Sequence, residues 1–167
     1  IHYTTRTGRT MTAPAADADA PARFAFVSCQ DYSGHYFNTY RRLLQLDDVD
    51  FVVHLGDYIY ETTDNPQFQD SSPDRAVTFS NTTGAIGFNI GTEDEYYAAA
   101  TIAQYRELYQ IYRGDADLQA VHERFPMIVI WDDHEYSDDC HGATATYFAG
   151  EQDELNIPRR KAANQAW

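Results

Sequence analysis

Phe51-Val52-Val53-His54-Leu55-Gly56-Asp57-Tyr58-Ile59-Tyr60-Glu61 is the stretch on which the fold turns. Its first five residues are nearly continuously apolar, too short for an independent helix, and of the kind found in strands covered on both faces. Gly56 then allows a sharp backbone turn, and a carboxylate (Asp57), a phenol (Tyr60) and a second carboxylate (Glu61) follow at once. Two other runs have the same form. Phe24-Ala25-Phe26-Val27 leads into Ser28-Cys29-Gln30-Asp31, and Met127-Ile128-Val129-Ile130-Trp131 leads into Asp132-Asp133-His134-Glu135.

Between the first two runs, Phe37, Tyr40, Leu43 and Leu44 follow helical spacing, which completes a strand-helix-strand unit. A second helical pattern extends from about Thr92 to Ile111, a shorter one from Asp115 to Arg124, and a last one opens at Pro158, a common helix-start residue. Residues 62 to 91 have no clear period, as in a functional loop or a disordered insertion. Upstream, Ile1-His2-Tyr3-Thr4-Thr5 alternates like a strand, and residues 12 to 21 form a small-residue linker bounded by Pro14 and Pro21. The fold class expected is α/β. Residues 1–21 read as the end of a small β-rich domain plus linker, and residues 22–167 as one domain.

Composition narrows the function. With 43% hydrophobic and 14% aromatic residues, the 167-residue chain has the material for one core. Twelve Lys+Arg against 26 Asp+Glu give a formal net charge of -14. So acidic a surface repels polyphosphate backbones, which argues against a nucleic-acid scaffold as partner and in favour of cations. No stretch is long and apolar enough to span a bilayer as a helix. Cys29 and Cys140 could form one disulfide or act separately.

All three strand exits carry reactive side chains, and in open α/β sheets ligands bind beyond the carboxyl ends of the strands. Thiolate and imidazole suit transition metals, phenolate suits ferric iron, and a carboxylate can bridge two ions, so this inventory fits a mixed metal cluster. Asp132, Asp133 and Glu135 crowd one imidazole, His134, and a bound cation is the simplest source of compensating charge. His35, His54, His122 and His141 read as structural or surface residues. The tyrosines from Tyr96 to Tyr112 read as packing, Arg106 and Arg113 as solvated or ion-paired, and Arg159-Arg160-Lys161 as a small basic patch.

Four segments together resemble the PhoD-like alkaline phosphatases and phosphodiesterases, within the calcineurin-like metallophosphoesterase superfamily. They are Phe26-Val27-Ser28-Cys29-Gln30, His54 to Glu61, Tyr105-Arg106 with Tyr112-Arg113, and Pro126 to Glu135. The resemblance implies a β-sandwich flanked by helices, of which this chain holds the N-terminal part and lacks the C-terminal half. It implies hydrolysis of phosphomonoesters and phosphodiesters by a metal-activated oxygen nucleophile, with small phosphate esters as partners. Cys29 and Tyr60 are then the thiolate and phenolate on iron, Asp57 the carboxylate that bridges the metals, and Asp133 a ligand of the second metal. Asp138 and Asp139 are calcium-side candidates, and His134 is the transition-state imidazole. The implied ions are Fe3+ and Ca2+, with other divalent metals as substitutes, and the implied location is periplasmic or extracellular. Because further ligands come from the family's C-terminal half, this stretch alone is expected to be inactive. The rival reading is a metal-binding domain without catalysis.

Overall fold

The computed structural model describes residues 6–70, 72–145 and 154–167. The expected strand over residues 1–5 lies outside them. In chain order the elements are β1 (Phe24–Val27), α1 (Asn38–Leu43), β2 (Phe51–His54), β3 (Ile86–Phe88), β4 (Tyr96–Ala98), α2 (Ile102–Tyr112), α3 (Ala116–Arg124), β5 (Met127–Val129), β6 (Thr144–Ala145), β7 (Glu154–Leu155) and α4 (Ile157–Ala166).

The three strands expected from the apolar runs form one parallel sheet in the order β1-β2-β5. Two antiparallel pairs, β3-β4 and β6-β7, lie apart from it. Register decides which residues share a face, because side chains alternate along a strand and align across it. Phe26 is opposite Val53 and Val53 opposite Ile128, while Val52 faces Met127 on the other side. That other side is the core. Val52 joins Tyr40 and Leu43 of α1, Tyr105, Leu108 and Tyr112 of α2, and Leu118 and Val121 of α3 in one buried cluster.

Only one sheet face is covered by the described residues. Phe24 (54% exposed), Phe26 (68%) and Ile128 (54%) stand open on the opposite side, and Phe24 stacks on Phe51 at 5.3 Å between ring centroids. This corrects the expectation of strands buried on both faces. The apolar runs do specify two buried faces, but no described element lies on the second.

The helix starts follow from their caps. Thr101 accepts from the Gln104 amide while the Gln104 side chain reaches back to the Thr101 amide, so α2 begins at Ile102 rather than near Thr92. The residues before it, Tyr96–Ala98, pair instead with Ile86–Phe88. Asp115 caps α3 through the amides of Asp117 and Leu118. In α4 the expected basic patch is also corrected. Arg159 is 2% exposed, donating from Nε to the Ala99 carbonyl at 2.8 Å and from Nη2 to that of Tyr136 at 3.3 Å, and it ties α4 to the end of β4 and to the segment after β5.

Candidate metal centre

Parallel pairing brings the three strand exits to one edge, and backbone hydrogen bonds lash them together there. The Cys29 amide donates to the Gly56 carbonyl (3.1 Å) and the Gln30 amide to that of Asp57 (3.0 Å). The Gln30 side chain donates to the Tyr58 carbonyl at 2.8 Å and accepts from the Tyr40 hydroxyl. Cys29 (φ 56°) and Asp57 (φ 54°) both adopt the left-handed region, uncommon for residues with a side chain and frequent at functional sites. Gly56 has φ 105°, and a Cβ there would lie 2.4 Å from the Asp132 Cβ and 2.5 Å from its amide nitrogen. Glycine is required because the β2 and β5 exits touch at this point.

This edge brings together most of the residues singled out above. Asp57, Asp133 and His134 each present a ligand atom, all within 4.8 Å of one another, and Asp133, Asp138 and Asp139 do the same. Asp133 belongs to both groups. The Tyr60 hydroxyl lies 3.4 Å from Asp57 Oδ2. Cys29 is exposed and outside both tight groups. Cys29 and Cys140 are free thiols, so the disulfide alternative is not realised. His54 and His122 lie in β2 and α3 as read, and His35 and His141 are exposed.

Electrostatics at the edge are those of carboxylates crowded around one imidazole. Burial pushes Asp57 up to about 6, against the pull of His134 and with added repulsion from Asp133 and Glu135. Asp57 Oδ1 is buried with no hydrogen-bond partner among the described residues, an expensive state for a carboxylate oxygen and one that a cation would relieve. The donor set therefore fits a metal ion. Burial lowers the affinity of His134 for a proton, but the Glu61 carboxylate outweighs it and, with Asp57 and Asp133, pushes the imidazole up to about 9. Burial raises Tyr60 far above the usual phenol range, and Asp57 and Cys29 raise it further. A nearby cation would reverse that and favour the phenolate.

Two residues given no role in the sequence reading belong to the site. Glu61 is fully buried; its Oε2 accepts from His134 Nδ1 at 2.7 Å and its Oε1 from the Asp138 amide at 2.8 Å. A carboxylate directly after Asp57-x-x-Tyr60 was the available signal. Phe68 comes from the 62–91 segment, which is an ordered loop at this point: Gln69 Oε1 accepts from Thr62 and the Asn65 amide, and Gln69 Nε2 donates to Asp31. The Phe68 ring lies 6.0 Å from that of Tyr60 and 5.8 Å from that of His134, so the loop walls the site. Its lack of periodicity hid it.

A family model described as PhoD-like phosphatase matches residues 24–167. The chain belongs to the PhoD-like phosphatases. It is 35% identical to alkaline phosphatase D of Bacillus subtilis (strain 168) over 167 residues, covering 99% of this chain and 25% of that protein. A solved structure described as "Structure of PhoD" superposes with a TM-score of 0.72 at 35% identity, covering 95% of this chain and 27% of that one. The chain thus spans about a quarter of the length of these two relatives.

The contact between Glu61 and His134 leads to a kinetic expectation. Glu61→Gln keeps the volume but puts a neutral amide against His134 Nδ1 and the Asp138 amide. In the full-length protein, turnover of any phosphate ester it hydrolyses should fall about 10- to 100-fold, with KM little changed, because the substitution disturbs the imidazole rather than ground-state binding. An unchanged kcat would show that Glu61 has no part in orienting His134.

Proposed function

We propose that the chain forms the N-terminal part of the catalytic domain of a metal-dependent phosphoesterase that hydrolyses phosphomonoesters and phosphodiesters. The single observation that carries this reading is the buried Asp57 carboxylate, whose Oδ1 has no hydrogen-bond partner among the described residues and one of whose oxygens lies within 4.8 Å of a carboxylate oxygen of Asp133 and a ring nitrogen of His134, on the strand edge of a PhoD-like phosphatase.

In this reading Cys29, Tyr60 and Asp57 would hold Fe3+, and Asp57, Asp133, Asp138 and Asp139 would hold Ca2+, whose preference is for carboxylate oxygens. When bound, the ions supply Lewis acidity that neutralises the phosphoryl oxygens, activates the attacking oxygen and stabilises the leaving one. The protein's own groups do the rest. His134, anchored through Nδ1 to Glu61, presents Nε2 on the side of Asp138, 3.5 Å away, and holds a proton there for an oxygen of the ester. Phe68 shields the imidazole from water on one side.

The open apolar face of Phe24, Phe26, Phe51, Val53 and Ile128 supports the β-sandwich expected of the complete domain, with a second sheet from further chain lying across it. A secreted protein is part of the same proposal, and in an oxidising compartment metal ligation would keep the Cys29 thiolate out of a disulfide.

Chelation tests the reading. The full-length polypeptide should hydrolyse p-nitrophenyl phosphate and bis(p-nitrophenyl) phosphate, lose both activities on treatment with a strong chelator, and regain them on addition of Fe3+ with Ca2+. Full activity in rigorously metal-free protein would contradict it, and intact metal uptake with no hydrolysis of any ester would favour the metal-binding domain.

A further inference from the structure

We infer that Glu135 is a positioning residue of the metal centre, its buried carboxylate gathering backbone amides from two strand exits so that Asp57 is held with its side chain aimed at Asp133. The inference rests on the metal-centre reading above and adds to it a residue that touches neither ion nor substrate.

Glu135 is fully buried, and both its oxygens are occupied. Oε1 accepts from the Tyr58 amide at 2.6 Å, and Oε2 accepts from the amides of Asp57 (3.2 Å) and Asp132 (2.8 Å). With three N–H groups on two oxygens it has little left to offer a metal ion. Those donors come from the segments after β2 and after β5, which therefore share one anchor.

The anchor acts where the backbone is strained. Asp57 has φ 54°, and a residue with a side chain stays in that region only when its surroundings over-determine it. The peptide on its N-terminal side is held by Glu135 through the Asp57 amide. The peptide on its C-terminal side is held twice, through the Asp57 carbonyl by Gln30 and through the Tyr58 amide by Glu135. With both peptide planes fixed, so is the direction in which the Asp57 Cα–Cβ bond leaves the backbone. The Asp132 amide sets the neighbouring backbone from the same carboxylate, one residue before Asp133. The short separation of the Asp57 and Asp133 ligand atoms is the product of this shared anchor.

Two substitutions separate positioning from simple charge. Glu135→Gln retains the volume but turns an NH2 group toward amides that need acceptors. Glu135→Asp retains the charge but shortens the side chain by one methylene and cannot reach all three amides. Leu118→Ala, in the core of α3, is a control for lost stability alone. In the full-length protein, Ca2+ affinity is measured by titration calorimetry, and the Fe3+ site by the phenolate-to-iron absorption of Tyr60.

Both Glu135 variants should bind Ca2+ about 10- to 100-fold more weakly, with a shifted or lost iron absorption and faster amide exchange at Asp57 and Tyr58, while Leu118→Ala keeps wild-type affinity. Wild-type affinity in Glu135→Asp would reduce the effect to charge and overturn the inference. So would unchanged affinity and amide exchange in both Glu135 variants, with the metal-centre reading left standing. If the wild-type protein itself takes up neither ion, that reading falls and the inference falls with it.

Discussion

His134→Ala is expected to lower turnover of p-nitrophenyl phosphate by the full-length protein about 100- to 10,000-fold, the range a positioned acid-base group contributes, while iron and calcium content stay as in the wild type. The reason lies in where the two ring nitrogens point. Nδ1 is engaged by Glu61 at 2.7 Å inside the protein, and Nε2 faces the acidic edge, 3.5 Å from Asp138 Oδ1. In this reading the imidazole acts on the substrate as a proton donor and is not a ligand of the ions, so its removal should leave them bound by the carboxylates, thiolate and phenolate. Metal analysis beside steady-state kinetics separates the outcomes. Parallel loss of metal and activity would make His134 a ligand, and retention of both would leave it without a role.

Gly56→Ala should have the largest effect on folding. At φ 105° an L side chain is strained, and the added methyl would meet backbone as well as side chain, at 2.5 Å from the Asp132 amide nitrogen and 2.9 Å from the Trp131 carbonyl carbon. Backbone cannot swing aside as a side-chain tip can. The β2 and β5 exits would have to separate, at a cost of more than about 4 kcal/mol, which belongs to the tail of single-substitution effects. Separation would also pull the Asp132 and Asp57 amides from Glu135 and spoil the juxtaposition of Asp57 with Asp133. A large fall in the denaturation midpoint, with loss of Ca2+ binding in whatever remains folded, is the expected result. A melt within about 1 kcal/mol of wild type, a typical cost for one substitution, would mean that the exits are not packed as described.

The sheet was legible in the sequence because each strand is an apolar run ending at a reactive segment, and those boundaries require only local information. That Asp57, Tyr60, Asp133 and His134 meet at one edge was legible for the same reason, as they follow directly on strand exits. The start of α2 was misplaced because Tyr96 and Tyr97 continue a helical spacing of apolar residues. Their pairing with Phe88 and Gly87 is a tertiary event that overrides the local pattern, although the Thr101-x-x-Gln104 capping box did mark the true start. Arg159 was misread because an arginine after a helix-start proline normally faces water. Only the fold reveals that the carbonyls of Ala99 and Tyr136 await it. Glu135 looked like one more acid in a metal-binding cluster, and its three amide partners come from residues up to 78 positions away. Phe68 could not be placed at all, since its position depends on side-chain hydrogen bonds within an aperiodic loop.

The most direct test of the account is anomalous diffraction from crystals of the full-length protein loaded with Fe3+ and Ca2+. It predicts an iron peak within coordination reach of Cys29, Tyr60 and Asp57, and a calcium peak within reach of Asp57 and Asp133, with Asp57 touching both. Ions bound elsewhere, with Asp57 Oδ1 still without a partner, would contradict it.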